Sequence, residues 1–118
     1  NILRGQSFNK DDRFFVTLTD GQCLEHTCNF TGEAAFSLDP SAVILTKAPL
    51  KTSARNVLNA EITGLTRDND RIRAELDSGF PMVVFLTQAS LDEMGLSIGS
   101  EINVMFKASA LRLIGFNR

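Results

Sequence analysis

Arg13-Phe14-Phe15-Val16-Thr17-Leu18-Thr19-Asp20-Gly21 is the stretch on which the fold turns. Apolar and polar residues partly alternate from Arg13 to Thr19, the period of a half-buried strand, and Asp20-Gly21 is a residue pair that hairpin turns favour. A further strand-like run, Cys23 to Phe30, follows it. The same texture continues along the chain, with strands expected at Ala34 to Leu38, Ala42 to Thr46, Val57 to Leu65, Arg71 to Leu76, Met82 to Thr87, Glu101 to Lys107 and Ser109 to Ile114. Asp77-Ser78-Gly79 closes a second turn, and Pro49 with the Lys, Thr and Ser residues of 48–53 marks a connector. Runs this short and this evenly spaced predict an all-β fold, barrel or sandwich.

One segment departs from that texture. Ser90-Leu91-Asp92-Glu93 reads as a capping box, with Ser90 as N-cap, and Gly95 as the stop, so one short helix is expected over 90–95. The chain also repeats itself. Asn1-Ile-Leu-Arg-Gly5 matches Asn56-Val-Leu-Asn-Ala60, Arg13 to Gly21 matches Arg71 to Gly79, and Asp39-Pro-Ser-Ala-Val-Ile-Leu45 matches Lys107-Ala-Ser-Ala-Leu-Arg-Leu113. Three matches in order predict a duplicated β unit, hence two small barrels sharing one body, divided as 1–48 and 49–118, with the helix in the second.

Composition bounds what such a body does. The chain has 118 residues, 43% of them hydrophobic, enough for a folded core and too many for a disordered segment. No apolar run approaches the roughly 20 residues that cross a bilayer, and the opening does not read as a signal peptide. A net charge of −2 argues against a general nucleic-acid or anionic-membrane binder, which carries a basic field. It leaves room for a single buried anion site, which needs only local donors. A chain opening on Asn and not Met is expected to be a piece of a longer protein.

Cys23, His26 and Cys28 invite a metal or redox reading, but a zinc site normally takes four ligands and the chain has one His and two Cys. Cys23 and Cys28 are expected to be two reduced thiols of a cytoplasmic protein, with no metal and no cofactor. No nucleophile–base pair or phosphate-binding glycine loop stands out, so no catalytic residue is assigned and the chain is not expected to be an enzyme. Phe14, Phe15, Phe36, Phe85 and Phe106 are expected to fill the barrels or a dimer seam.

The two copies differ where chemistry can reside. The second opens with Ser53-Ala54-Arg55-Asn56 and ends on Lys107-Ala108-Ser109; the first keeps Asn1 and has Asp39 in the place of Lys107. A dianion leaving water has to recover its hydration from converging donors. Turn amides supply them from a concave backbone, small residues such as Ala54 and Ala108 let that backbone come close, and the Ser53 and Ser109 hydroxyls and the Lys107 ammonium add charge-assisted contacts. The second copy suits an oxyanion; the first would repel it.

Ser53-Ala-Arg-Asn56, Val57-Leu58, the Leu-Asp-Ser-Gly turn, Leu86-Thr87-Gln-Ala-Ser90, Gly95-Leu96 with Gly99, and Lys107-Ala-Ser109 resemble the molybdopterin/molybdate-binding (Mop, TOBE-type) domain, over roughly residues 52 to 114. That family includes molbindins, the ligand domain of the molybdate-responsive transcription factor and the C-terminal regulatory domain of molybdate/tungstate-importer ATPases. Residues 1 to 47 look like the first subdomain that follows the nucleotide-binding domain of such an ATPase. Ala60 stands where the family usually has Gly. The resemblance implies OB-like barrels that bind molybdate or tungstate at a subunit interface. Ser53 and the Ala54 and Arg55 backbone would touch the anion beside Asn56, and Thr87, Lys107, Ala108 and Ser109 would complete the pocket, some of them from a partner chain. It implies a homodimer or larger assembly and, in an ABC-type importer, the ATPase and membrane subunits as partners at the cytoplasmic face. A stand-alone molbindin-like storage protein is the alternative. An OB-type nucleic-acid module is the third reading, disfavoured by the absence of Tyr and Trp and by the net charge.

Overall fold

Residues Asn56 to Thr63 alternate buried and exposed one by one, and Arg71 to Asp77 do the same. Each strand thus lays one face on a core and turns the other outward. The computed structural model describes residues 1–48 and 54–117. Among them the chain forms β1 (Ile2–Lys10), β2 (Arg13–Leu18), β3 (Cys23–His26), β4 (Gly32–Ser37), β5 (Ile44–Thr46), β6 (Asn56–Asp68), β7 (Arg71–Asp77), β8 (Pro81–Leu86), α1 (Gln88–Met94), β9 (Glu101–Phe106), a 3-10 turn (Ala108–Ala110) and β10 (Arg112–Asn117).

The strands make two five-stranded antiparallel sheets, ordered β10-β4-β1-β2-β3 and β5-β9-β6-β7-β8. The orders correspond strand for strand, and each half places its fifth strand in the other half's sheet. The registers correspond too. Leu3 faces Phe36, which faces Leu113; Leu58 faces Val104, which faces Leu45. The repeat read from the sequence is therefore a repeat of the hydrogen-bond ladder. Leu3, Val16, Leu18 and Phe36 and their counterparts Leu58, Ala74, Leu76 and Val104 are all buried, in one continuous apolar cluster.

One glycine marks where the halves diverge. A Cβ on Gly5 would stand 2.1 Å from the Thr17 carbonyl oxygen, because Gly5 is laddered to both Leu18 and Ala34. Its counterpart Ala60 pairs with Ile102, while the β6 ladder to β7 begins at Glu61 and bulges between Ile62 and Gly64. The methyl group the family pattern does not lead one to expect is accommodated there, buried.

Several expectations are corrected. The long strand β1, not among the strands expected from the sequence, is central to its sheet. The helix is Gln88–Met94 and its N-cap is Thr87, whose Oγ1 accepts the Ser90 amide at 3.0 Å. Ser90 is thus the third helical residue and not the cap; Gly95 does end the helix, in a left-handed conformation. The strand expected from Ser109 begins only at Arg112, because residues 108–110 wind into a tight turn closed by Ala110 N to Lys107 O at 3.0 Å. The strand from Cys23 stops at His26, because the His26 ring takes the Cys28 amide at 3.1 Å and bends the chain out of the ladder. Phe36 and Phe106 are in the core, whereas Phe14, Phe15 and Phe85 are half-buried. Phe15 stacks on Phe8, and the Arg71 guanidinium covers Phe85 at 3.5 Å, which gives those ring faces a partner without full burial.

Candidate functional site

The cross-strand pair Asn56–Phe106 brings the two candidate motifs together. The end of β9 lies beside the start of β6, so the residues preceding Asn56 stand next to those following Phe106. Ala54, Lys107 and Ser109 line one cleft of about 250 Å³ there, walled further by Ala42, Ile44, Met105, Phe106 and Ala110. The 3-10 turn at its rim is closed through the amides of Ala110 and Leu111, and those of Ala108 and Ser109 take no part in closing it. Lys107 and Ser109 are exposed while Ala108 is buried. That places the cation and the hydroxyl at the surface and a small side chain beneath them.

Asn56 is only 4% exposed, and its side chain points away from solvent into a contact with β3. Its Oδ1 accepts the Glu25 amide at 2.8 Å and its Nδ2 donates to the Glu25 carbonyl at 2.9 Å. Strand β3 also packs against the 3-10 turn. Both sides of the cleft thus rest on one strand of the first half. Arg55 is exposed at the entry to β6. Ser53 lies outside the described residues. Thr87 is not brought to the cleft within one chain: it follows Leu86, which faces Ile72, which faces Arg67 near the far end of β6 from Asn56. Its hydroxyl is engaged with the Ser90 amide and hydroxyl, both at 3.0 Å.

A second cleft of about 570 Å³ adjoins the first and shares Ala42, Ser109 and Ala110 with it. It is the counterpart from the first half, with Asn1 in the place of Asn56, Asp39 in the place of Lys107 and Ser41 in the place of Ser109. The Asp39 carboxylate accepts the Ser41 amide at 2.7 Å. Asp39 and Lys107 therefore put opposite charges at matched positions of two neighbouring clefts, and Arg112 from the second half also lines the one that holds Asp39.

His26 has partners that no sequence pattern announced. It is 2% exposed and packs on Phe36 with ring centroids 4.6 Å apart. Because Nδ1 accepts the Cys28 amide, the ring proton sits on Nε2 and is donated to Ser7 Oγ at 2.7 Å, and that hydroxyl donates to the Phe30 carbonyl at 2.7 Å. Burial lowers the His26 pKa below the ordinary imidazole value. The apolar walls Ala42, Ile44 and Met105 were also not foreseen; the signal for them was the register that sets Ile44 opposite Met105. Cys23 is exposed and Cys28 half-buried, both as free thiols. Among the described residues no cluster of His, Cys, Asp and Glu is arranged to hold a metal ion, and no helix is long and apolar enough to cross a membrane.

A family model described as the TOBE domain matches residues 52–113. The molybdate/tungstate import ATP-binding protein WtpC of Pyrococcus abyssi is 37% identical over 83 residues, covering 70% of this chain and 24% of WtpC. The molybdenum-pterin-binding protein MopB of Rhodobacter capsulatus is 32% identical over 85 residues, covering 70% of this chain and 31% of MopB. The matched stretch spans less than a third of the length of either relative. In three dimensions the chain superimposes on the cytoplasmic molybdate-binding protein ModG, in a crystal form with molybdate bound, with a TM-score of 0.81 over 96% of this chain and 94% of that one. Sequence identity there is 18%, so the likeness is one of fold.

Proposed function

Since the chain belongs to the TOBE domain family, we propose that it binds molybdate or tungstate in the cleft between residues 53–56 and 107–109. The observation that carries this reading is the convergence of Ala54, Lys107 and Ser109 on one cleft, from motifs that are far apart in sequence. A tetrahedral dianion seated there meets the Lys107 ammonium, the Ser109 hydroxyl and the backbone of Ala54, Arg55 and Ala108; Ser53, a further donor expected from the sequence, lies outside the described residues. Such donors replace water around a charge that cannot be buried alone. Asn56 serves by fixing the loop. Thr87 reaches the anion from a partner copy, which makes the binding unit a homodimer or larger.

The names of the relatives support the choice of anion: one is a molybdate/tungstate import ATP-binding protein and one a molybdenum-pterin-binding protein. On this reading residues 1–48 and 49–118 are the two units of a regulatory domain in an ABC-type importer ATPase, sensing oxyanion at the cytoplasmic face of the membrane next to the ATPase and membrane subunits. The chain is a binding module, not an enzyme, and ATP hydrolysis belongs to another domain. A stand-alone oxyanion-storage protein is the second reading, favoured by the near-complete overlap with ModG along both chains. An upstream phosphate-loop ATPase in the same gene selects the first. Titration calorimetry with tungstate on the 118-residue chain tests the binding itself: saturable heat that weakens in Ser53→Ala and Lys107→Ala is expected, and no heat at micromolar protein contradicts it.

A further inference from the structure

We infer that His26 is a positioning residue for the oxyanion cleft: it fixes the end of β3, which carries the Glu25 peptide that holds Asn56 and the strand face under the Ala108–Ala110 turn. The inference rests on the proposed oxyanion function and assigns part of that site to the half of the chain that does not bind.

Strand β3 has four residues and lies at the edge of its sheet, so its ladder to β2 alone holds it weakly. It nevertheless supports both walls of the cleft, through the paired hydrogen bonds of Glu25 with Asn56 and through its packing on the 3-10 turn. What stops β3 is His26, next in sequence to Glu25. Its ring is tied on one side to the Cys28 amide and on the other to Ser7 in β1 and, through Ser7, to the Phe30 carbonyl. The same bend brings Cys28 Sγ within 3.8 Å of the Leu111 carbonyl, just after the turn.

The matched position in the second half shows that the fold itself does not ask for an imidazole. Phe14 faces His26 as Ile72 faces Leu86, so the equivalent strand ends on leucine. That strand's edge is gripped by Asn1 at Val83, and the cleft it borders holds Asp39 in place of Lys107. The polar ring occurs on the strand that supports the Lys107 cleft. A buried imidazole whose two nitrogens are both engaged costs desolvation that leucine avoids and fixes the local backbone in return.

Tungstate calorimetry on the 118-residue chain tests this with His26→Leu, Asn56→Ala and the pair combined. His26→Leu is expected to weaken tungstate about tenfold, and the double variant to bind no more weakly than Asn56→Ala alone, because the two act in series. His26→Gln, which can keep the donor to Ser7, is expected to recover most of the affinity. Losses that multiply, or wild-type affinity in His26→Leu, overturn the inference. If His26→Leu does not fold, as judged by circular dichroism, Ser7→Ala takes its place in the cycle with the same two outcomes. A readout without ligand separates this inference from the function it rests on: the Asn56 side-chain amide resonances should shift in the His26 variant, and unchanged resonances overturn the inference even where tungstate binds. A wild-type chain that takes up no tungstate overturns the reading of the site and the positioning role with it.

Discussion

The side-chain amide of Asn56 and the peptide of Glu25 hold each other by two hydrogen bonds, at 2.8 and 2.9 Å. The first half answers with the same device: the Asn1 side chain accepts the Val83 amide at 2.6 Å and donates to its carbonyl at 2.7 Å. Each asparagine opens its half and satisfies the free edge of the strand that ends the other half's sheet. The halves are joined by exchanged strands, by a shared core and by these two polar clasps.

Removing one clasp leaves the half-buried Glu25 peptide without its Asn56 partner. Asn56→Ala is expected to lower the unfolding free energy by about 1–3 kcal/mol, read as a fall in the urea midpoint at constant slope. A midpoint within error of wild type contradicts the clasp.

The Lys107 ammonium is the cation of the cleft. Lys107→Ala is expected to weaken tungstate by about 1.5–3 kcal/mol, roughly ten- to a hundredfold. Asp39→Ala, which removes the carboxylate of the adjoining cleft, is expected not to weaken it. Calorimetry in a sulfate- and phosphate-free buffer measures both, and an equal loss in the two variants rules out the charge assignment.

His26 makes stability depend on pH. The folded chain lowers its pKa by burial, while the unfolded chain titrates near the ordinary value of about 6.5. Below that pH the unfolded state binds the extra proton, so stability is fully present above about 6.5 and falls as the solution is acidified through it. Urea melts at pH 7.5 and 5.5 are expected to show this loss in wild type and a smaller one in His26→Leu. Equal losses in both would show that His26 is not the titrating group.

Gly5 sits where a side chain has no room, since a Cβ there would lie 2.1 Å from the Thr17 carbonyl oxygen. Gly5→Ala is expected to destabilise by about 1–3 kcal/mol or more through forced backbone shifts. Ala60→Gly, at the matched position, should cost about 1 kcal/mol or less, as for glycine within a strand. Thermal melts of the two variants decide whether the β6 bulge relieves this crowding.

Much of this architecture was legible in the sequence. Alternation and turn residues announce most strands, and the three ordered matches announce the duplication; the register that sets Leu58 opposite Val104 is seen only in the fold. The exchange of β5 and β10 was not legible, because strand propensity says nothing about which sheet a strand joins. The helix cap was misplaced because Thr87 and Ser90 both carry suitable hydroxyls three residues apart, and only the fold shows which one precedes the first turn. Ala54, Lys107 and Ser109, singled out in the sequence for their chemistry, line one cleft. The engagement of Asn56 with Glu25 and of His26 with Ser7 was not legible, since both are long-range contacts between residues of unremarkable local pattern.

The most direct measurement is a crystal of the 118-residue chain soaked in tungstate, with anomalous scattering locating the metal. The predicted result is a strong peak in the cleft bordered by Ala54, Lys107 and Ser109, within hydrogen-bonding distance of the 107–109 segment, and none in the neighbouring cleft beside Asp39. An empty first cleft, or a peak beside Asp39, would contradict the account.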